Sequence, residues 1–149
     1  MKALPFLLML LVSATALASQ NSVSPEALIE AEYRQYIRDF IARDYEAIAS
    51  HFNPPIQRTN SEGSVVLQNT GEIKRMYQNM MANIQKGYSY SEVDSIDIQP
   101  LSRSTYAASV SFTRYDAADE AIFEGRSIYL FGNQSGEWKM FSMIQAERE

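Results

Sequence analysis

The order of the hydrophobic patterns is the feature that most constrains what this chain can fold into. Three segments with apolar residues at helical spacing come first, and everything after Gly87 alternates as strands do. Short turn segments divide that second part into four strands, predicted at 88–101, 105–115, 121–131 and 137–145. Connections this short join antiparallel neighbours. The pattern predicts an α+β domain in which three helices pack on one face of a curved, mixed or antiparallel sheet.

The ends of the helices carry recognisable signals. Residues that cap helix N-termini stand before the three segments: Ser24, Asp44, and either Asn69 or Thr70. Asn53-Pro54-Pro55 stops the second helix, because proline has no amide hydrogen to donate. Gly87 stands where the third helix would end in a left-handed residue. Between the second and third helices, residues 56–59 and 64–68 flank a tight-turn sequence and predict a hairpin.

The N-terminal segment predicts export. Lys2 precedes an apolar run from Ala3 to Val12, and Ala16-Leu17-Ala18 supplies an A-x-A cleavage site. The run is shorter than the ~20 residues of a membrane-spanning helix. We therefore expect a signal peptide over residues 1–18, cleaved after Ala18, a single domain over residues 19–149, and no membrane attachment after cleavage.

Charge and cysteine content exclude several classes of partner. The chain carries 13 basic and 18 acidic side chains, a formal net charge of -5. Such an acidic surface argues against nucleic acid and anionic lipid as electrostatic partners. The sequence contains no cysteine and therefore no disulfide or thiolate. An exported protein without disulfides is typical of a bacterial periplasm, so we expect a periplasmic or secreted protein.

A family resemblance rests on several motifs that occur in order along most of the chain. They are the segment from Tyr36 to Phe52, the following Pro54, the hairpin and third helix, and the late segments 129–131 and 136–140. Together these resemble the nuclear transport factor two-like superfamily, which includes SnoaL-like polyketide cyclases and ketosteroid isomerases. The resemblance implies a cystatin-like cone of sheet around helices, often dimerising through the outer face of the sheet. It leaves function open, because this fold hosts several unrelated activities.

A twisted sheet curled around helices leaves a cavity, and small-molecule sites are commonly cavities of this apolar kind. Aromatic residues dominate the faces that should line it, with hardly a carboxylate among them. The sequence therefore predicts the binding of a small apolar or amphipathic molecule without catalysis. The predicted ligand-binding residues are Tyr33, Tyr36, Phe40, Tyr77, Phe112, Tyr129 and Phe131.

Catalysis of the ketosteroid isomerase type is the first alternative. That chemistry needs a carboxylate base and two donors for the enolate oxygen, one a tyrosine and one a protonated acid. Tyr36 lies eight residues before Asp44, which resembles the position of the family's helix-one tyrosine. Where the resemblance would place the two carboxylates, the hairpin offers Thr59 and Asn60, and the late strand offers Ser127 and Tyr129. We therefore favour Tyr36 as a core tyrosine with its hydroxyl at the cavity wall.

His51 is a second catalytic candidate, since dehydratases that this chain resembles use an inward histidine as acid or base. It is also the sole histidine of the chain and falls at the end of the second helix. A cation there is favoured by the helix dipole and can bond a terminal carbonyl. We favour this helix-capping interpretation over a catalytic one.

Arg114 and Asp116 are a third candidate. They stand two apart near a strand end, and the pair resembles part of the Asp-Arg-Asp constellation of limonene epoxide hydrolases. A salt bridge at the rim of the sheet is the simpler interpretation. Asp94 and Asp97 are further carboxylates that could lie inside the cavity. An isomerase, dehydratase or hydrolase therefore stays open as the second hypothesis.

Metal, cofactor and partner are the remaining questions. One histidine, no cysteine and scattered carboxylates predict no metal site, and we expect no cofactor, since no phosphate loop or dinucleotide motif is present.

The third hypothesis is a homodimeric interaction module with a filled core. Phe141 and Met143 alternate out of step with Trp138, Met140 and Ile144, which predicts a last strand apolar on both faces and a homodimer through the outer sheet face.

Overall fold

A computed structural model describes residues 23–146, so the predicted signal peptide and its cleavage after Ala18 lie outside the described residues. Helices and strands follow in the predicted order. The helices are α1 (Pro25–Ala42), α2 (Tyr45–Ser50) and α3 (Thr70–Ala82), and a hairpin of β1 (Phe52–Asn60) and β2 (Gly63–Leu67) lies between α2 and α3. The later strands are β3 (Tyr88–Ser102), β4 (Thr105–Asp116), β5 (Ala121–Gly132) and β6 (Lys139–Ala146).

One mixed sheet contains all six of these strands, in the order β2-β1-β6-β5-β4-β3. Every neighbouring pair is antiparallel except β1 and β6, which are parallel. The sheet curves around the three helices, which confirms the predicted α+β cone. Within residues 23–146, none of the helices has both the length and the apolarity needed to cross a membrane.

The helix caps act as the sequence predicts. The side chains of Ser24, Asp44 and Asn69 accept hydrogen bonds from backbone amides one turn later, at 3.2, 3.0 and 3.0 Å. These bonds satisfy amides that have no partner within the helix. Asn69, rather than Thr70, is therefore the cap of α3.

Two predictions about segment ends were wrong. The third helix ends at Ala82 with Asn83 as its cap, so Gly87 is not the cap. Gly87 instead has a φ of 87° in the turn that leads into β3, a conformation that glycine adopts without strain. Pro54 and Pro55 do follow the end of α2, but they lie inside β1 rather than before it. They occupy the stretch between Phe52 and Gln57 where the pairing with β6 shifts register, so no ladder bond needs their missing amides.

Aromatic rings fill the centre of the cone. Tyr33, Tyr36 and Phe40 form the buried stripe of α1, and their rings lie 5.1 to 6.3 Å from neighbouring rings on the helices and the sheet. Such tilted and edge-on pairs each add about 0.5–1.5 kcal/mol beyond the burial of their area. One continuous aromatic cluster thus joins α1, α3 and the sheet.

The last strand carries apolar residues on both faces, as the alternation predicted, but the residues are not on the faces that the alternation assigned to them. The β5–β6 pairing shifts between Leu130 and Phe131, whose partners are Ser142 and Met140, so Phe141 is an extra residue in β6. A bulge of this kind reverses the alternation on either side of it. Met143 therefore lies on the inner face, where it is buried, and Ile144 is exposed on the outer face.

Candidate functional site

A cavity of about 110 Å³ lies inside the cone, between α1, α3 and the inner face of the sheet. Five of the seven predicted ligand-binding residues line it: Tyr33, Tyr36, Phe40, Phe112 and Tyr129. Apolar lining also comes from Met80 of α3 and Met143 of β6. Aromatic and aliphatic side chains together thus make up most of the wall.

The other two predicted residues lie behind that wall. Tyr77 and Phe131 are both fully buried, and neither faces the cavity. Phe131 pairs with Tyr106 and Met140 farther along the sheet, and Tyr77 packs against Tyr36 and Phe52. Periodicity had assigned both to the correct face, but it carries no information on how deep a residue lies along the cone.

Tyr36 takes part in a buried hydroxyl chain. Its Oη lies 2.8 Å from Tyr77 Oη, and the Tyr77 hydroxyl donates to Met143 Sδ at 3.8 Å. Because Tyr77 donates to sulfur, Tyr36 is the donor in the bond between the two phenols. Burial, reinforced by the nearby Tyr129, raises the pKa of both hydroxyls well above their usual range, so both stay neutral. Tyr36 is therefore a core tyrosine at the cavity wall whose one proton is already donated.

Tyr33 differs from Tyr36, because its hydroxyl has no hydrogen-bond partner at ordinary distance. The residue has 0% exposure, and its Oη has no hydrogen-bond partner at ordinary distance. The neighbouring Tyr129, with ring centroids 5.1 Å apart, interacts with this hydroxyl at longer range and adds to the burial that raises the pKa of Tyr33. An unbonded buried hydroxyl costs about 1–3 kcal/mol. The Tyr33 hydroxyl, which only the longer-range contact with Tyr129 engages, can thus donate to a molecule in the cavity.

Arg114 brings a positive charge to the same cavity. Four rings surround its guanidinium, those of Phe123 and Phe112 with centroids at 5.1 and 5.2 Å and those of Tyr88 and Phe40 at 5.8 and 5.9 Å. Its Nη1 donates to Gln85 Oε1 at 2.6 Å, and its buried Nε has no acceptor. Burial lowers the pKa of Arg114 below its ordinary value.

The predicted salt bridge between Arg114 and Asp116 does not form. The Asp116 carboxylate accepts from the backbone amides of Ala118 and Glu120, at 2.9 and 3.0 Å, and so organises the β4–β5 turn. A turn leaves amides without ladder partners, and a short acidic side chain satisfies them locally. Arg114 meanwhile points into the cone rather than to its rim.

No carboxylate is among the residues that line the cavity within 23–146. Asp94 is exposed and accepts from Thr113 Oγ1 at 2.8 Å, and Asp97 accepts from its neighbour Gln99. Ser127 lines the cavity beside Tyr129, at the place where the resemblance would put an acid. Thr59 and Asn60, in contrast, belong to the hairpin and do not line it.

A family profile described as NTF2-like protein (DUF6841) matches residues 25–148. The chain belongs to this NTF2-like family. The match covers all nine helices and strands described above, so the family assignment applies to the whole cone.

Solved NTF2-like structures share this fold at low sequence identity. A cystatin-like domain of unknown function from Nostoc punctiforme has a TM-score of 0.66 and 19% identity, over 83% of this chain and 77% of that one. A second Nostoc punctiforme protein of unknown function has a TM-score of 0.69 and 12% identity, over 80% and 88% of the two chains. An NTF2-like protein of unknown function from Pseudomonas putida has a TM-score of 0.68 and 12% identity, over 85% and 90%. These similarities establish the fold and carry no function with them. No curated protein matches this sequence significantly.

His51 of this NTF2-like chain is engaged outside the cavity. Its Nδ1 lies 2.9 Å from Glu32 Oε1, its Nε2 lies 2.7 Å from Asp39 Oδ2, and Lys139 Nζ reaches the same Glu32 oxygen at 3.2 Å. Carboxylates accept hydrogen bonds, so both ring nitrogens must donate and the ring is an imidazolium. Burial lowers the pKa of His51, but the bonds to Glu32 and Asp39 outweigh burial and raise it overall.

The helix-capping interpretation of His51 was therefore only half right. The residue is the C-cap of α2, but its ring bonds two carboxylates of α1 rather than a terminal carbonyl. The ring bonds charged carboxylates in preference to a neutral carbonyl, because charge-assisted hydrogen bonds are roughly twice as strong as bonds between neutral groups. Glu32 and Asp39 stand seven residues apart on one face of α1, a spacing that could have suggested a shared partner.

Arg58 is a cavity residue that sequence reasoning missed. It lies in β1 beside Met143 of β6 and lines the cavity together with Arg114. The signal was present, because Arg58 has the same strand parity as the buried Ile56. Among residues 23–146, no group of three or more acidic or histidine side chains could hold a metal ion.

Proposed function

We propose that this NTF2-like protein binds one small amphipathic molecule inside its cone and releases it chemically unchanged. The observation that carries the proposal is the fully buried Tyr33 hydroxyl, which lines an aromatic cavity and has no hydrogen-bond partner at ordinary distance. A buried polar group is usually satisfied, and a ligand in the cavity would satisfy this one. The surrounding rings would bury the apolar part of the same molecule.

The size of the cavity limits the ligand. Drug-sized sites measure roughly 300–1,000 Å³, and a cavity of ~150 Å³ in another protein accepts benzene. The 110 Å³ of this cone suits one ring or a short aliphatic chain rather than a steroid. We therefore expect ligands of about one ring, with a single polar end.

The lack of a carboxylate or a histidine on the cavity wall, as far as residues 23–146 form it, supports binding without chemistry. Isomerisation beside a carbonyl needs a base that touches the substrate. No carboxylate of the described part of the chain lines the cavity, and both nitrogens of His51 are bonded to acids outside it. Tyr36 also has its proton engaged by Tyr77. An isomerase, dehydratase or hydrolase is therefore the less supported alternative.

Native mass spectrometry of the purified domain, starting at residue 19, would test the proposal. We expect a bound small molecule, or stabilisation against heat by members of a panel of single-ring compounds, short-chain lipids, steroids and polyketides. The Tyr33→Phe variant of this domain should show a smaller stabilisation by the same compounds. Tyr45→Phe is the matched control, because Tyr45 does not line the cavity. No bound molecule and no thermal shift with any compound would contradict the proposal.

Export is a separate proposal that rests on the N-terminal sequence. A charged residue, an apolar run and Ala16-Leu17-Ala18 form the pattern of a signal peptide. Expression of the full chain in a bacterium should give a periplasmic protein whose N-terminus is Ser19. Recovery of the uncleaved chain from the cytoplasm would contradict this.

A homodimer through the outer face of the sheet is favoured by one pair of residues. Ile144 of β6 lies directly opposite Ile128 of β5 and is 36% exposed on that face. A second subunit would cover this pair. Light scattering should give twice the monomer mass, and Ile144→Lys should return it to the monomer mass while Leu101→Lys, in an exposed position on β3, should not. A monomer at every concentration would contradict the dimer.

A further inference from the structure

The charges inside the cone identify the polar end of the ligand. We infer that the molecule held there is a monocarboxylate, with its carboxylate group against Arg114 and its apolar part among the aromatic rings. This inference depends on the proposed function, because it specifies which small amphipathic molecule the cavity accepts.

The sign of the charge inside the cavity is opposite to that of the protein. The chain as a whole has a net charge of -5, yet the cavity is lined by two arginines, Arg58 and Arg114, and by no acid of the described residues. A low-dielectric pocket lined by one sign of charge concentrates ions of the other sign. The cavity therefore favours an anion even though the outer surface repels one.

Arg114 is the anchor whose surroundings are best defined, because aromatic rings enclose its guanidinium and it lacks a counter-charge. None of the ion pairs among residues 23–146 includes it, and its one hydrogen bond goes to the neutral Gln85. Its Nε has no acceptor. Buried guanidinium groups are normally paired, and the four surrounding rings offset only part of the cost of burial. A carboxylate would supply both the missing charge and the missing acceptor.

Tyr33 provides a second donor on the same cavity. Its unbonded hydroxyl and the guanidinium of Arg114 are the two unsatisfied polar groups that line the cavity among those described. Both can donate, and the guanidinium can only donate. A ligand that satisfies both must accept, which a carboxylate does with two oxygens and an alcohol or an amine does less well.

The chemistry of the remaining wall distinguishes a monocarboxylate from a phosphate. Phe40, Phe112 and Met80 supply apolar surface. Among the described residues, the polar lining besides Arg114 and Tyr33 consists of two serines, Gln145, Arg58, Tyr36 and Tyr129. A phosphate dianion has no apolar part to bury against the rings and methionines of this wall. A single-ring or short-chain carboxylic acid matches both the donors and the volume.

The test compares acids with their neutral isosteres by isothermal titration calorimetry on the domain from residue 19. The probes are phenylacetate and hexanoate, each against its amide, with acetate and inorganic phosphate as anions that have no apolar part. We expect the two long acids to bind at least about tenfold more tightly than the amides, a factor that a charge-assisted hydrogen bond supplies. Acetate and phosphate should bind more weakly than the long acids.

The variant Arg114→Gln should reduce the affinity for the acids about tenfold or more and leave the affinity for the amides within about twofold. Arg103→Gln is the matched control, since it removes the same charge from an exposed turn residue. Where Arg114→Gln alters the fold, as circular dichroism would reveal, Tyr33→Phe replaces it and should weaken the acids more than the amides.

Three results would overturn the inference, and they differ in whether they also contradict the proposed function. Amides that bind as tightly as the acids would overturn the carboxylate and keep the proposed binding of a small molecule. Phosphate that binds as tightly as hexanoate would replace the monocarboxylate by a simple anion. No binding of any probe, acid or amide, together with no molecule in native mass spectra, would overturn the inference and the proposed function alike.

Discussion

The hydroxyl oxygens of Tyr36 and Tyr77 lie 2.8 Å apart in the core, although 41 positions separate the two residues in the sequence. This bond joins α1 to α3 at the point where both helices face the sheet. It also determines what Tyr36 can do, because a phenol whose proton is donated to a neighbour has only acceptor capacity left for a ligand.

We predict that this bond contributes to stability in a coupled way. Tyr36→Phe and Tyr77→Phe should each lower the free energy of unfolding by about 1–2 kcal/mol, since each leaves a buried hydroxyl with one partner fewer. The double variant should be less destabilised than the sum of the two single variants by about 0.5–1.5 kcal/mol. Urea unfolding of the four proteins provides the measurement, and strict additivity would exclude the coupling.

Tyr33→Phe should behave in the opposite way. Its hydroxyl is buried and unbonded, so its removal should leave the ligand-free domain equally stable or up to about 1 kcal/mol more stable. The same change should weaken ligand binding. Functional groups often reduce stability in this manner. Urea unfolding of the ligand-free protein checks the first part, and a loss of more than about 1 kcal/mol would mean that the hydroxyl has a partner in the folded protein.

The cluster around His51 should give stability a maximum in mildly acidic solution. The pKa of His51 in the folded protein is raised from its ordinary value of 6.5. The contribution of His51 to the free energy of unfolding is therefore complete below 6.5 and is lost as the pH rises through the raised pKa. Burial raises the pKa of Glu32, but the hydrogen bonds from His51 and Lys139 more than offset burial and lower it from 4.5. The contribution of Glu32 to the free energy of unfolding is therefore complete above that value and is lost as the pH falls through the lowered pKa. The window of greatest stability therefore lies between about 4.5 and 6.5.

Urea unfolding at several pH values would measure that window, and the nuclear magnetic resonance signal of the sole histidine would give its folded pKa. His51→Gln should cost about 1–3 kcal/mol at pH 6 and much less at pH 9, because it removes the donors of two carboxylates. A folded pKa below 6.5, or a variant with the same pH dependence as the parent, would contradict the assignment.

A side chain at Gly125 should destabilise the domain. A Cβ atom built there meets Cζ of Phe112, and it would lie 2.7 Å from Cε1 of Phe123. These are two of the rings around Arg114, so Gly125→Ala would displace them. We predict a loss of about 1–3 kcal/mol from overpacking. Thermal unfolding checks the loss, and Phe112→Leu added to Gly125→Ala should recover part of it, whereas Phe112→Leu alone should destabilise.

The elements and their order followed from the sequence because they depend on local interactions. Caps such as Ser24 and Asp44 bond amides within one turn, and alternation along a strand assigns each residue to a face. The same reasoning assigned Tyr33, Tyr36 and Phe40 to the inside of the cone. It failed at β6, where the extra residue Phe141 reverses the faces, since a bulge arises from the pairing of two strands and leaves no signal in one of them.

By itself, then, the sequence determined an α+β cone with an aromatic interior poor in acids, because periodicity and capping are properties of short segments. Only the tertiary structure decided which polar groups meet. It turned Arg114 away from Asp116 and into the cone, brought His51 between Glu32 and Asp39, and left the Tyr33 hydroxyl without a partner. These relationships join residues that are distant in sequence or compete for partners, so they are fixed by the packing of the whole domain and by which hydrogen bonds that packing leaves unmade.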